Sequence, residues 1–89
     1  MNATTPEIRY EAYIIRPTKD GHTQVFGFKT WKAGQQAMCS MQSLYALEMP
    51  GGQLIGLVGN YESARALLPT NTRKVGWIST IELWERTPK

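Results

Sequence analysis

The chain has 89 residues, 42% of them hydrophobic and 19% charged, with a formal net charge of +3. That is the composition of one ordinary globular domain, too apolar for intrinsic disorder. The mild basic excess permits a polyanionic partner without requiring one, and a lone cysteine, Cys39, excludes an intrachain disulfide.

Residues Met1 to Glu7 carry neither a basic start nor an apolar run, so no secretory signal is read there and residues 1–6 are expected to be flexible. The longest near-continuous apolar stretch, Leu54 to Val58, is far too short to span a bilayer. One domain over residues 1–89, in a reducing cytoplasm and without a membrane partner, is the expectation.

The first predicted strand runs from Ile8 to Arg16, with Ile8, Tyr10, Ala12 and Ile14 on one face and Arg9, Glu11, Tyr13 and Ile15 on the other. Pro17 ends it. The loop Thr18-Lys19-Asp20-Gly21-His22-Thr23 holds Asp-Gly, a strong hairpin signal. A second strand follows from Gln24 to Lys29. Two registers are open. A two-residue turn at Asp20-Gly21 sets Ile15 against Phe26 and Tyr13 against Phe28, gathering the aromatics on one face. A slip of one residue sets Phe26 and Phe28 beside Ile14 and Ala12 instead.

Thr30 is a candidate N-cap for a helix from Trp31 to Glu48. Trp31, Gly34, Ala37, Met38, Met41, Leu44, Tyr45 and Glu48 recur at helical spacing as its buried stripe, and Pro50-Gly51-Gly52 stops it. Gln53 to Val58 reads as a third strand. Asn60 caps a short second helix, Tyr61 to Leu68, which ends at Pro69. Residues 70–74 read as a loop and Val75 to Glu85 as a last strand. The third strand, second helix and last strand resemble a crossover unit with parallel strands. The expected fold is α+β in the order β-β-α-β-α-β, one mixed sheet of about four strands packed by one long and one short helix.

No catalytic constellation is legible. His22 sits in the hairpin loop, where a histidine is ordinarily solvated, and Cys39 lies mid-helix beside Met38 and Met41, where packing is the expectation. One His and one Cys cannot build a zinc site. Glu7, Glu11, Asp20, Glu48, Glu62, Glu82 and Glu85 are scattered, with Glu82 and Glu85 on opposite faces of one strand. Gly56-Leu57-Val58-Gly59-Asn60 lacks the Gly-Lys-Ser/Thr of a phosphate loop and reads as a strand-to-helix turn. No cofactor and no metal are expected.

Two surfaces stand out. The outer face of the long helix carries Lys32, Gln35, Gln36, Ser40, Gln42 and Ser43, and every polar residue between Lys32 and Glu48 is neutral. Neutral amides and hydroxyls lose less on desolvation than charges, so this face suits a contact with another protein or a second copy. The other surface is the hairpin, where Phe26-Gly27-Phe28 is followed by Trp31. With Ala37, Ser40, Met41 and Leu44 this stretch is similar to part of the RNA recognition motif over roughly a third of the chain. It departs from that family at Lys29, in lacking a βα unit before residue 8, and in element order. The resemblance implies base stacking on sheet aromatics. Tyr13, Phe26 and Phe28 rimmed by Arg16, Lys19, Lys29, Lys32, Arg73 and Lys74 supply the recipe for single-strand binding.

The sequence thus points to a small non-catalytic protein-binding module: an accessory subunit, regulator or inhibitor that occludes a partner's surface, or self-associates. The alternative is single-stranded RNA or DNA binding through the hairpin face.

Overall fold

The computed structural model describes residues 10–78 and 81–87, with Leu57 and Val58 described by backbone alone. The predicted starts at Ile8 and Arg9 and the segment 1–6 lie outside the described residues. The elements are β1 (Ala12–Pro17), β2 (His22–Phe28), α1 (Trp31–Glu48), β3 (Ile55–Val58), α2 (Tyr61–Ala66), β4 (Thr72–Ile78) and β5 (Ile81–Arg86). They form a small α+β domain whose five strands lie in the order β3-β1-β2-β5-β4, every neighbouring pair antiparallel.

Two expectations are corrected here. The predicted last strand is two strands, and Ile78 pairs with Ile81 across residues 79–80. Ser79-Thr80 offers none of the Gly, Pro or Asn that mark a turn. The sheet is not mixed, because β3 pairs with β1 while β5 pairs with β2. The segment that was to run parallel beside β3 therefore lies on the far side of the sheet.

Capping residues set both helices. The Thr30 hydroxyl accepts from Ala33 N–H at 3.1 Å, and Asn60 Oδ1 accepts from Ser63 N–H at 2.8 Å. Gly51, at φ +86°, adopts a conformation that a side chain would oppose, just past the end of α1. The Tyr61 helix is two residues shorter than predicted.

The β1–β2 register resolves to the slipped alternative, Ala12 against Phe28 and Ile14 against Phe26. The cause is a three-residue loop, Lys19-Asp20-Gly21. Thr18 N–H donates to His22 O at 2.8 Å, Gly21 N–H to Thr18 O at 3.3 Å, and Gly21 takes φ +86°. One left-handed residue suffices for this loop, where a two-residue type I′ turn needs two.

The register sends Phe26 and Phe28 to the face covered by α1, with Ile14, Tyr45 and Leu54. Tyr13, Ile15, Val25 and Trp84 occupy the opposite face, with Ala64 of α2 and the half-buried Tyr10, Ile55, Tyr61 and Leu68. Both faces of β1 are thereby buried. Phe-Gly-Phe acquires a packing reason: a Cβ on Gly27 would lie 2.4 Å from the Tyr10 ring, so the glycine leaves room for that ring on the α2 side.

The buried stripe of α1 also differs from expectation. Gly34 and Tyr45 are buried, and Ala37, Met38, Met41 and Met49 are half-buried. Trp31, Cys39, Leu44 and Glu48 are exposed. Successive residues turn by about 100° on a helix, so the stripe centred on Tyr45 passes through Met38 and Met41 and leaves Cys39 outside.

Candidate functional site

The exposed face of α1 is built from residues the helical period turns away from Tyr45. Lys32, Gln35, Gln36, Ser40 and Ser43 are all exposed there, as the sequence predicts. The structure adds two apolar residues to them, Leu44 at 60% exposure and Leu47 at 81%. Leu47 falls in line with Gln36, Ser40 and Ser43, which recur every three or four residues along one side of the helix. Ser43 is additionally turned onto its own helix, donating to Cys39 O at 3.4 Å. From Gln35 through Leu47 the face is therefore neutral, of small and amide side chains, and ends in leucines.

The residues of the predicted nucleic-acid face are not brought together. Phe26 and Phe28 lie half-buried beneath α1, while Tyr13 is buried on the other side of the sheet. The basic rim is dispersed. Lys19 is exposed ahead of β2 and Lys29 exposed just after it, at the strand's two ends. Arg16 is committed to local partners: it donates to Gln24 Oε1 at 3.1 Å, pairs with Glu48 and lies over the Tyr45 ring, 5.6 Å from its centroid. Tyr45 in turn donates its hydroxyl proton to Pro17 O at 2.5 Å. Arg16, Lys19 and Glu48 border a shallow cleft of about 340 Å³ beside that contact. Arg73 and Lys74 diverge across β4. Arg73 pairs with Glu85 at 3.5 Å on the α1 side, whereas Lys74 sits opposite Trp84 on the α2 side.

His22 opens β2 and is half-buried rather than solvated. Its Nδ1 lies 3.3 Å from Asp20 Oδ2 and its Nε2 3.9 Å from Glu85 Oε1. The Asp20 carboxyl is held below its ordinary range by the Thr18 hydroxyl and then by its own backbone N–H. Among the described residues no three His, Cys, Asp or Glu side chains group as a metal site, and no helix is long and apolar enough to cross a membrane.

The α2 side of the sheet holds a constellation that sequence reasoning missed. Tyr10, Tyr13, Tyr61 and Trp84 form a row of rings, with centroids 5.7, 6.1 and 6.5 Å apart in that order. Glu82 is buried among them and accepts from Trp84 Nε1 at 3.0 Å. Burial first, and the Glu82 charge second, push the Tyr13 and Tyr61 hydroxyls above the usual tyrosine range. The Trp84 indole N–H gives the buried Glu82 carboxylate the donor it needs. The available signal was strand alternation, which puts Glu82 and the Trp84 N–H donor on one face two residues apart.

Beyond Trp84 this face opens to solvent. The helices pack on β1, β2 and β3, and β4 packs on β5. Trp77 lies on this face at 47% exposure, and on the same edge strand the bulged Val75 is 44% exposed and Ile78, on the opposite face, 50%. Lys74 Nζ lies 4.1 Å over the Trp77 ring, and Arg65 of α2 lies 5.5 Å over the Trp84 ring. Pairing slips between Lys74 and Gly76, so Val75 bulges from the edge strand, a device that discourages further strand pairing there. Compared with known proteins, the chain matches no family model, no curated protein and no solved structure.

Proposed function

We propose that the protein is a small, non-catalytic protein-binding module whose contact surface is the outer face of α1. The observation that carries this reading is the absence of charge along that face, from Gln35 through Leu47, together with the exposure of Leu44 and Leu47. A solvated helix face ordinarily mixes Lys, Glu and Arg. Interface cores are depleted of charge because a buried charge loses hydration that a contact rarely restores, whereas amides and hydroxyls can exchange water for a partner's groups. The helix is 18 residues long, so it can serve as the centre of an interface of about 800 Å² per partner. Its rigidity, fixed by caps at one end and the Tyr45 anchor near the other, keeps the ordering cost of binding small.

The module then acts by occupying a partner's surface, as an accessory subunit, a regulator or an inhibitor. The partner is another protein or a second copy of this chain. A photo-crosslinking residue at Ser43 in the intact chain tests this, with the same residue at Glu62 on α2 as the comparison. The expected result is one discrete adduct from position 43, lost with Leu47→Glu while the melting temperature is unchanged. The adduct's mass separates a second copy from a different protein. Equal, diffuse labelling from both positions, or none from position 43, overturns the proposal.

A further inference from the structure

We infer that the α2 side of the β4–β5 hairpin is a second binding surface, for single-stranded nucleic acid, beyond the protein contact on α1 and on the opposite face of the sheet. The aromatic platform is Trp77, 47% exposed on a strand that no helix covers. Glu82, opposite Trp77 across the hairpin, is buried, and the exposed charges of the hairpin on this face are cationic. Lys74 stands over the Trp77 ring, Arg65 stands over the neighbouring Trp84, and Arg86 shares the Trp84 face by strand alternation. Lys74, Arg65 and Arg86 are all exposed.

The carboxylates of the hairpin do not offset these cations. Glu82 is buried and bonded to Trp84, and Glu85 points to the other face, where Arg73 engages it. Glu62, in the first turn of α2, is the one exposed acid of that helix. Lys74 at the exposed Trp77 indole, with Arg65 and Arg86 farther along the same face, matches a phosphate backbone running past a base stacked on the ring, the physical recipe for single-strand binding. A duplex hides its base faces and cannot use Trp77, so single strands are selected. Lys74 already shows that the ring face accepts a cation, and it can move to a phosphate when a base takes its place. An acidic protein segment would satisfy the cations but leave the indole without a stacking partner.

The test is fluorescence anisotropy of a labelled mixed-sequence single-stranded oligonucleotide titrated with the intact protein, alongside the matching duplex. Binding is expected to prefer the single strand. It should weaken roughly 20-fold between about 50 and 200 mM salt, the slope for three neutralised phosphates. Trp77→Ala is expected to weaken binding about tenfold, with Trp77→Phe retaining most of it. Lys74→Gln and Arg86→Gln, both at exposed positions, are expected to flatten the salt slope, and they decide the matter if Trp77→Ala does not fold. Leu47→Glu on α1 should leave oligonucleotide binding unchanged, so the two surfaces fail independently. No binding at the lowest salt, equal affinity for the duplex, unchanged affinity in the folded Trp77 and Lys74 variants, or displacement by polyglutamate as readily as by oligonucleotide overturns the proposal.

Discussion

β1 and β4 are both strands of one sheet, yet they live in different solvents. In β1, Ala12, Tyr13, Ile14 and Ile15 are each at most 5% exposed, because α1 covers one face and α2 the other. In β4, Val75, Trp77 and Ile78 are near half exposed on a bulged edge. Apolar residues in β1 hold the fold together, whereas apolar residues in β4 are left over from it. In a domain with so small a core, uncovered tryptophan and isoleucine cost little to fold stability and are available for contact.

The sharpest way to break that comparison is a matched truncation. Ile14→Ala empties a fully buried site and is expected to cost about 2–5 kcal/mol, a large part of the stability of a small domain. Ile78→Ala should cost less than about 1 kcal/mol. Urea unfolding of both variants checks this, and equal losses would mean that β4 is covered.

The glycines of the two sheet edges give a smaller contrast. A Cβ on Gly56 of β3 would meet Ile14 Cα and Tyr13 O of β1, both at 3.0 Å, and these backbone atoms cannot turn aside. Gly56→Ala is expected to cost about 1–3 kcal/mol. A Cβ on Gly76 of β4 meets nothing within 4 Å, so Gly76→Ala should be neutral or slightly stabilising, through a stiffer unfolded chain. Thermal melts of the pair order the two effects.

The smallest effect is expected at alkaline pH, where β1 and β5 share the buried polar cluster. Tyr13 and Tyr61 hold their protons in the folded state to higher pH than in the unfolded chain. Their contribution is fully present below the ordinary tyrosine value near 10 and is lost as pH rises through it toward the folded value, since the unfolded state releases the protons first. Stability should therefore be level in pH up to about 9 and fall above about 10. Tyr61→Phe, which removes one titrating group, should make that fall shallower. Urea titrations across this range, followed by tyrosinate absorbance, supply the measurement. A fall of equal steepness in the Phe variant would show that Tyr61 does not contribute.

Much of α1 was legible because its signals are local. Thr30, the run of helix formers and Pro50-Gly51 state its limits within a few residues, and its uncharged outer face follows from counting around the helix. The placement of Leu44 and Leu47 needed the anchor. Either neighbour of the stripe satisfies a helical period, and the contact of Tyr45 with β1 selects the rotation that leaves both leucines outside. The β4–β5 surface was hidden for a different reason. Val75 to Glu85 reads as one apolar strand, and only its reversal puts Trp77 on an edge. Arg65, Lys74 and Arg86 are far apart in sequence and come to one face through the β4–β5 pairing and the seat of α2 beside Trp84.

By itself the sequence determined the two helices, the α+β class, the presence of the first hairpin and the uncharged stretch of α1 from Gln35 through Leu47, since caps, turns and helical periodicity act between neighbours. The tertiary structure alone decided the register of β1 against β2, the antiparallel order of five strands, the burial of Phe26 and Phe28, and the exposure of Cys39 and Trp77. Those features depend on which distant segments pair and which face a helix covers. A one-residue difference in loop length reverses the outcome for every side chain of a strand, because alternate residues point to opposite faces.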